Sequence, residues 1–310
     1  MLKPWWPMAR EVNNIGASVR ARLLARARAE NLDFQILLTR YALERLLYRL
    51  SVSDKRDDFI LKGAMLFAVW RDDPFRPTRD LDLLGRGDPA PTEIAASIRT
   101  ICTMDVADDG VVFDADAIRA APIRDEAEYG GVRVRTSATI AGARIPIQID
   151  VGFGDAVTPG VIEIEYPALL DQPSPVLRAY PPETVVAEKT EAIVSLGIGN
   201  SRMKDFYDLW MIAQTFEFDA ASLASALQHT FERRKTPWPE EPPVGLSDNF
   251  AGEKQTQWQA FVTRDRLGAV PASLIMVIGN LRTFLDPVLA KGPVQSWQRG
   301  GPWTVAGGDT

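Results

Sequence analysis

Two aspartates stand one residue apart in the segment RPTRDLDLLG, residues 76–85, which otherwise alternates like a buried strand. Successive side chains of a strand point to opposite faces, so Asp80 and Asp82 share one face while Leu81 and Leu83 share the other. Two carboxylates this close raise each other's pKa unless a cation lies between them. Hard oxygen ligands of this kind suit Mg²⁺, which leaves room for substrate phosphates. The alternative is a strand end whose aspartates are solvated at the glycine-containing turn that follows.

Composition restricts the chemistry that this chain can perform. Cys102 is the only cysteine and His229 the only histidine, which excludes an internal disulfide, a cysteine-based metal cluster and a polyhistidine metal site. Any metal chemistry must therefore use carboxylates. The 310 residues are 46% hydrophobic and 25% charged, as expected for a soluble globular protein of one large or two modest domains. Neither a membrane span nor a secretory signal is evident, so we expect a cytoplasmic protein without membrane contact.

Charge is distributed unevenly along the chain. Residues 1–56 carry 11 Lys and Arg against 5 Asp and Glu, whereas residues 57–155 carry 11 against 18. A basic N-terminal segment beside an acidic centre is typical of a protein that holds a metal in one place and a polyanion in another. A pair of solvated helices would give the same pattern.

The elements that must position these residues follow from hydrophobic periodicity. Along the hairpin strand RIPIQIDVGF, isoleucines and a valine bury one face, so Asp150 emerges on the other face beside Gln148. If that strand neighbours the Asp80 strand, three carboxylates come together. In chain order the sequence predicts a pair of helices at 17–50, a strand at 59–61 that turns at Gly63 into an apolar helix, the Asp80 strand, a helix at 92–102, a strand near 111–113 and a hairpin at 131–153.

Past residue 180 the pattern changes to helices. Lys189 falls in the middle of an apolar arc of PETVVAEKTEAIVSL, so it either needs a buried partner in a cleft or extends along the face toward water. In NSRMKDFYDLW, Lys204, Asp205 and Asp208 share a polar arc. Lys204 and Asp208 also fit an exposed i, i+4 ion pair without a functional role.

Several segments in this order carry a family resemblance over roughly residues 20–215: RYALERLLYRLS, FILKGAMLFAVW, RPTRDLDLLG, IDVGFGD, PPETVVAEKTEA and NSRMKDFYDLW. Together they resemble the DNA polymerase β-type nucleotidyltransferases and, within them, the AbiEii-like toxins of bacterial toxin–antitoxin systems. The resemblance implies a nucleoside triphosphate donor, Mg²⁺ and transfer of nucleotides to RNA acceptors, including tRNA 3′ ends. It also implies a cognate antitoxin that relieves growth arrest.

The same resemblance implies roles for individual residues. The usual Gly-Gly or Gly-Ser of the superfamily is Gly63-Ala64 here, so a hydroxyl that often touches the phosphates is missing, and Thr78 is a candidate to supply one. Whether Asp205 or Asp208 is the catalytic acid stays open. The expected metal ligands are Asp80, Asp82 and Asp150, which together with Lys189 and Asp208 form the expected catalytic set. The expected nucleotide-binding residues are Lys62, Gly63, Ala64, Thr78, Lys189, Lys204 and Asp205.

The predicted fold is a bi-lobed α/β protein with the active site in the cleft between the lobes. N-terminal helices (1–56) pack on a nucleotidyltransferase domain with a mixed sheet (57–178), followed by a helical C-terminal lobe (179–290) and a partly disordered tail (291–310).

RNA is expected to bind the N-terminal helices through Arg22 and Arg26. Pairing of these arginines with acids of the C-terminal lobe is the alternative. Other possible functions are transfer to a small-molecule or protein acceptor, and a non-catalytic antitoxin-binding or RNA-binding module. The basic N-terminal segment argues against a small-molecule acceptor, and the intact set of three carboxylates argues against a non-catalytic module.

Overall fold

The computed structural model describes residues 14–70, 78–123, 130–268 and 270–305. Arg76 and Pro77 of the RPTRDLDLLG segment, and residues 306–310 of the predicted tail, lie outside the described residues. The helices are α1 (Ile15–Ala29), α2 (Phe34–Val52), α3 (Phe67–Trp70), α4 (Pro91–Cys102), α5 (Pro182–Leu196), α6 (Met203–Thr215), α7 (Ala220–Arg233), α8 (Asp248–Asp265) and α9 (Leu274–Leu289). The strands are β1 (Phe59–Lys62), β2 (Asp80–Gly85), β3 (Val112–Phe113), β4 (Arg119–Ile123), β5 (Gly131–Ile140), β6 (Ala143–Phe153), β7 (Ile162–Glu165), β8 (Val176–Ala179), β9 (Phe218–Asp219), β10 (Val294–Trp297) and β11 (Trp303–Val305).

The N-terminal helix pair forms as predicted, and side-chain caps start both helices. Asn14 accepts a hydrogen bond from the Ala17 N–H at 2.8 Å, and Asp33 accepts one from the Ile36 N–H at 3.0 Å. Such caps satisfy backbone N–H groups that have no partner within the helix. The leucines of α2 are buried, and α2 contacts β6 and β8. The helix pair is therefore part of the layer that covers one face of the sheet.

Eight strands of the described chain form a mixed sheet in the order β3-β5-β6-β2-β1-β8-β7, with β4 also paired to β5. β2 runs parallel to β6 and antiparallel to β1, while β1 runs parallel to β8. β5 and β6 form the predicted hairpin, and its connection is the two-residue turn at Ala141 and Gly142, both with positive φ. The mixed α/β fold class predicted from the sequence is confirmed.

The chain after β8 is mainly helical, and a second, three-stranded sheet joins its last segment to the helices. β10 pairs with β9 and β11, although both β10 and β11 fall within the tail predicted to be partly disordered. Tryptophans anchor this segment: the Trp297 indole N–H donates to the Ala213 carbonyl at 2.8 Å, and that of Trp303 donates to the Phe284 carbonyl at 2.8 Å.

The buried apolar residues of the sheet and of the C-terminal helices form one continuous cluster. The proposed domain boundaries therefore remain predictions. None of the helices within the described ranges combines the length and the apolar character needed to cross a bilayer.

Candidate active site

β2 carries the paired aspartates in the interior of the sheet, between β1 and β6. Asp80 and Asp82 are partly exposed, whereas Leu81 and Leu83 are each 1% exposed. The alternation read from the sequence is therefore present. The leucines join the apolar core, and the two aspartates lie on the opposite face.

One row of four charged residues crosses the sheet on that face. Asp82 is aligned with Asp150 in the parallel pair, and Lys62 is aligned with Asp82 in the antiparallel pair. Arg133 of β5 is aligned with Asp150. Because residues directly opposite each other in a sheet share a face, the row reads Arg133, Asp150, Asp82, Lys62, with two negative charges between two positive ones. The sheet thus brings Asp150 beside the paired aspartates, as the sequence predicted.

Ionisation of the two aspartates of β2 is disfavoured when no cation is bound. Burial, together with the charge of Asp150, raises the pKa of both Asp80 and Asp82. The charges of Lys62 and Lys204 act against this rise at Asp82. A divalent cation would relieve the remaining repulsion, so this donor set fits one.

Asp150 differs from the other two because Arg133 holds its carboxylate. Arg133 donates from Nε to Oδ1 at 2.8 Å and from Nη2 to Oδ2 at 2.6 Å. In the part of the chain that the structure describes, no group of three or more His, Cys, Asp or Glu side chains is spaced to hold a single ion. Asp80 and Asp82 can therefore bind a divalent cation directly, whereas Asp150 would have to release Arg133 before it could bind the cation. Sequence reasoning missed Arg133, although counting outward from the hairpin turn places it opposite Asp150.

The turn after β1 brings backbone close to Asp82. Gly63 has a φ of +72° and begins a 3₁₀ turn, Gly63–Leu66, that leads into α3. A Cβ at this position would overlap the carboxylate of Asp82. Ala64 is buried in the same turn. The predicted strand-to-helix turn is present, and only glycine satisfies both its φ and the close approach of Asp82.

Thr78 lies just before β2 and is buried. Its hydroxyl donates to the Asp80 carbonyl oxygen at 3.2 Å. The side chain therefore stabilises the start of β2, and its contact with phosphate stays a prediction.

Lys62 is held in a buried ionic network that the sequence did not reveal. Its ammonium lies 2.6 Å from Asp155 and 3.2 Å from Glu188, and Arg234 contacts Glu188 at 3.3 Å and Glu191 at 2.8 Å. Burial opposes ionisation of Asp155, but the charges of Lys62 and Arg234 outweigh it and lower the pKa to about 2. The ammonium of Lys62, expected at the nucleotide, thus contacts these carboxylates. The sequence analysis did not single out Asp155 or Glu188, although both stand in segments that carried the family resemblance, IDVGFGD and PPETVVAEKTEA.

Lys189 has the buried partner that its position on the apolar arc required. Its ammonium lies 2.8 Å from both Asp205 and Asp208 of α6. Arg202 also pairs with Asp205 at 2.7 Å. Burial opposes ionisation of Asp205, but the charges of Lys189 and Arg202 outweigh it and lower its pKa.

Asp205 and Asp208 are both fully buried, so the reading of Lys204 and Asp208 as an exposed pair is wrong. The helical wheel showed a polar arc, but α6 turns that arc toward α5, where Lys189 neutralises it. Lys204 itself is exposed at the start of α6. Burial raises the pKa of Asp80 and Asp82, and the charge of Lys204 partly opposes this rise at both.

Arg22 and Arg26 bind the connection between β7 and β8. Arg22 pairs with Asp171 at 2.6 Å, while Arg26 donates to the Leu169 carbonyl at 2.7 Å and pairs with Glu30 at 2.8 Å. The alternative of docking on acids of the C-terminal lobe is wrong, because Asp171 lies before β8. Contact of these arginines with RNA stays a prediction.

Comparison with protein families shows to which family the chain belongs. A family model described as the nucleotidyl transferase AbiEii toxin of type IV toxin–antitoxin systems matches residues 45–273. The chain belongs to the AbiEii toxin family. The match includes every candidate residue of the sheet, α5 and α6, but neither Arg22 nor Arg26. The AbiEii family resemblance seen in the sequence is confirmed, and membership makes the chain a nucleotidyltransferase with a nucleotide substrate and an antitoxin partner.

Two solved structures resemble this AbiEii chain. A Helicobacter pylori protein assigned as a nucleotidyltransferase aligns with a TM-score of 0.50 at 15% identity, over 84% of this chain and 98% of that one. JHP933 from Helicobacter pylori aligns with a TM-score of 0.49 at 15% identity, over 84% of this chain and 95% of that one. At 15% identity, the alignment with a TM-score of 0.50 bears on the fold alone. No curated protein shows significant similarity to the sequence.

Proposed function

We propose that this AbiEii-family protein transfers nucleotides from a nucleoside triphosphate to an RNA acceptor in the cytoplasm, with Mg²⁺ as cofactor and the tRNA 3′ end as the preferred acceptor. The observation that carries the proposal is the single face of the sheet on which Asp80, Asp82 and Asp150 lie. An acidic face flanked by Lys62 and Lys204 suits metal-assisted transfer of a phosphoryl group.

Asp80 and Asp82 hold the metal in this proposal. When bound, Mg²⁺ lowers the pKa of the attacking hydroxyl and neutralises charge on the triphosphate. Asp150 either completes the metal shell or accepts the proton of that hydroxyl, and Arg133 orients its carboxylate. Gly63 keeps the turn close enough for Asp82 to face the metal.

Lysines on α5 and α6 bind the phosphates. Lys204 is exposed and acts electrostatically on both aspartates of β2. Lys189 is fixed by Asp205 and Asp208, so its ammonium is oriented before substrate binds. A cation held in place by buried carboxylates stabilises developing negative charge without reorganising during the reaction.

Identification of the acceptor tests this function. The purified protein is incubated with each α-labelled ribonucleoside triphosphate, Mg²⁺ and total cellular RNA, and Asp82→Asn serves as the matched control. Label that is incorporated into RNA, so that ribonuclease removes it, supports the proposal if Asp82→Asn incorporates none. Label on protein would instead identify a nucleotidylated side chain, and label on neither would contradict transfer to RNA.

A further inference from the structure

A groove of about 510 Å³ opens at the start of α6, where α6 and α8 face each other. Its floor includes Met203 and Phe261, and its rim carries Arg202, Lys204 and Arg264. The volume lies in the range of pockets that hold a ligand the size of a nucleotide. The groove therefore combines an apolar floor with a basic rim.

One face of α8 builds one wall of the groove. Gln257, Phe261 and Arg264 follow each other at the spacing of successive helical turns. The ring of Phe261 is fixed at 6.0 Å from the ring of Tyr207, and the Arg264 guanidinium lies 5.7 Å from the centre of the Phe261 ring. Such a floor of aromatic and thioether groups suits contact with a nucleobase.

Both arginines of the rim are exposed, although their carboxylate partners are buried or mostly buried. Arg264 is 71% exposed and pairs at 2.7 Å with Asp265, which is 14% exposed, and Arg202 is 51% exposed and pairs at 2.7 Å with the buried Asp205. A guanidinium carries five N–H donors, so each arginine can donate to a phosphate while it keeps its carboxylate partner. The rim adjoins the candidate catalytic residues, because Arg202 pairs with Asp205 and Asp205 pairs in turn with Lys189 at 2.8 Å. The charge of Lys204 also opposes the rise in the pKa of Asp80 and Asp82.

We propose that this groove binds the single-stranded 3′ segment of the RNA acceptor and leads its terminal hydroxyl to Asp80 and Asp82. The inference rests on the proposed function and adds where the acceptor binds. The phosphodiesters contact Arg264, Arg202 and Lys204 in turn, and a base contacts the apolar floor of the groove, where Phe261 is 7% exposed. The donor triphosphate is less suited to the groove, because Lys189, its expected ligand, lies on the α5 side of α6.

Arg264→Gln tests the inference, with Arg299→Gln as matched control because Arg299 is 70% exposed and paired with Glu217 at 3.5 Å. Binding of a fluorescent single-stranded RNA is measured against salt, together with the KM for the triphosphate. We expect Arg264→Gln to weaken RNA binding several-fold and to reduce the log–log salt slope by about 0.7, the value for one lost phosphate contact. Gln257→Glu, which places a negative charge in the groove at an exposed position, should weaken RNA binding further than Arg299→Gln does.

Three outcomes would overturn the inference. In the first, Arg264→Gln and Gln257→Glu bind RNA as tightly as Arg299→Gln does, and the parent still labels RNA. This result would show that the acceptor does not bind in the groove, and it would leave the proposed function intact. A raised KM for the triphosphate with unchanged RNA affinity would assign the groove to the donor. A parent protein that neither binds nor labels RNA would overturn the proposed function and this inference together.

Discussion

The carboxylate of Asp82 occupies the space that a side chain at position 63 would need. Gly63 directly follows β1, and Asp82 lies on the neighbouring β2, where it is aligned with Lys62. The φ of +72° at Gly63 is also one that residues with a Cβ rarely adopt. The turn and the acidic strand are thus fitted to each other through one glycine.

Gly63→Ala should therefore displace Asp82 and slow nucleotide transfer by at least about tenfold, which corresponds to ~1.4 kcal/mol of transition-state energy. The melting temperature should also fall, because the positive φ costs a residue with a Cβ about 1–2 kcal/mol. Gly279→Ala is the control, since Gly279 lies in α9 with open space around it. Equal transfer rates for the two variants would contradict the requirement for glycine at position 63.

Lys189→Met should reduce both activity and stability. The methionine keeps the apolar stem, but it leaves Asp208 and Asp205 buried without the ammonium that contacts both. Breaking a buried ion pair costs about 3–5 kcal/mol, and Arg202 still pairs with Asp205, so we expect the lower end of this range. Chemical unfolding measures that loss. Adding Asp208→Asn should recover part of the stability but none of the transfer, whereas recovery of transfer would show that Lys189 serves only to neutralise Asp208.

Glu44 makes the stability of the N-terminal helix pair depend on pH. Burial raises its pKa from 4.5 to about 7, although it pairs with Arg45 and accepts a hydrogen bond from the Leu169 N–H. A carboxyl group with a raised pKa in the folded state binds its proton more tightly there, so its contribution to stability is lost as pH rises from 4.5 to 7. The melting temperature of Glu44→Gln should therefore exceed that of the parent, and the difference between the two should grow as pH rises across this interval. Parallel pH profiles of the two proteins would refute the raised pKa.

Arg22→Gln combined with Arg26→Gln separates RNA contact from a structural role. The pair between Arg22 and Asp171 is exposed and contributes less than about 1 kcal/mol, so the melting temperature should change little. If the arginines contact RNA, the log–log salt slope of RNA binding should fall by roughly 0.7 to 0.9 for each lost phosphate. Asp171→Asn is the control, because it removes the ion pair between Arg22 and Asp171 but keeps both arginines. A lower melting temperature with an unchanged slope would make these arginines structural.

The parts of the site that depend on local pattern were predictable from the sequence. Alternation alone placed Asp80 and Asp82 on one face, and the hairpin pattern placed Asp150 opposite the buried isoleucines. That β6 lies beside β2 was a hypothesis, because neighbouring strands that are distant in sequence are set by packing of the whole sheet. The family resemblance supplied the order of the motifs and thereby the fold class.

Contacts between distant segments could not be predicted. Lys62, Asp155, Glu188 and Arg234 come from four separate parts of the chain, so no spacing reveals their network. The helical wheel of α6 gave the correct polar arc but not its environment, because a wheel does not show which neighbouring helix covers the arc. The docking of the described part of the C-terminal tail could not be predicted from its glycine and proline content, because it depends on contacts of Trp297 with α6 and of Trp303 with α9.

RNA-dependent release of pyrophosphate from a nucleoside triphosphate tests the central claim, that the face of Asp80 and Asp82 is the centre of nucleotidyl transfer. Pyrophosphate and nucleotide incorporated into RNA are counted in one reaction for the parent, Asp80→Asn and Asp82→Asn, with circular dichroism to verify folding. We expect equal amounts of both products from the parent and a loss of both in the two folded variants. Release and incorporation by either folded variant at the rate of the parent would contradict it.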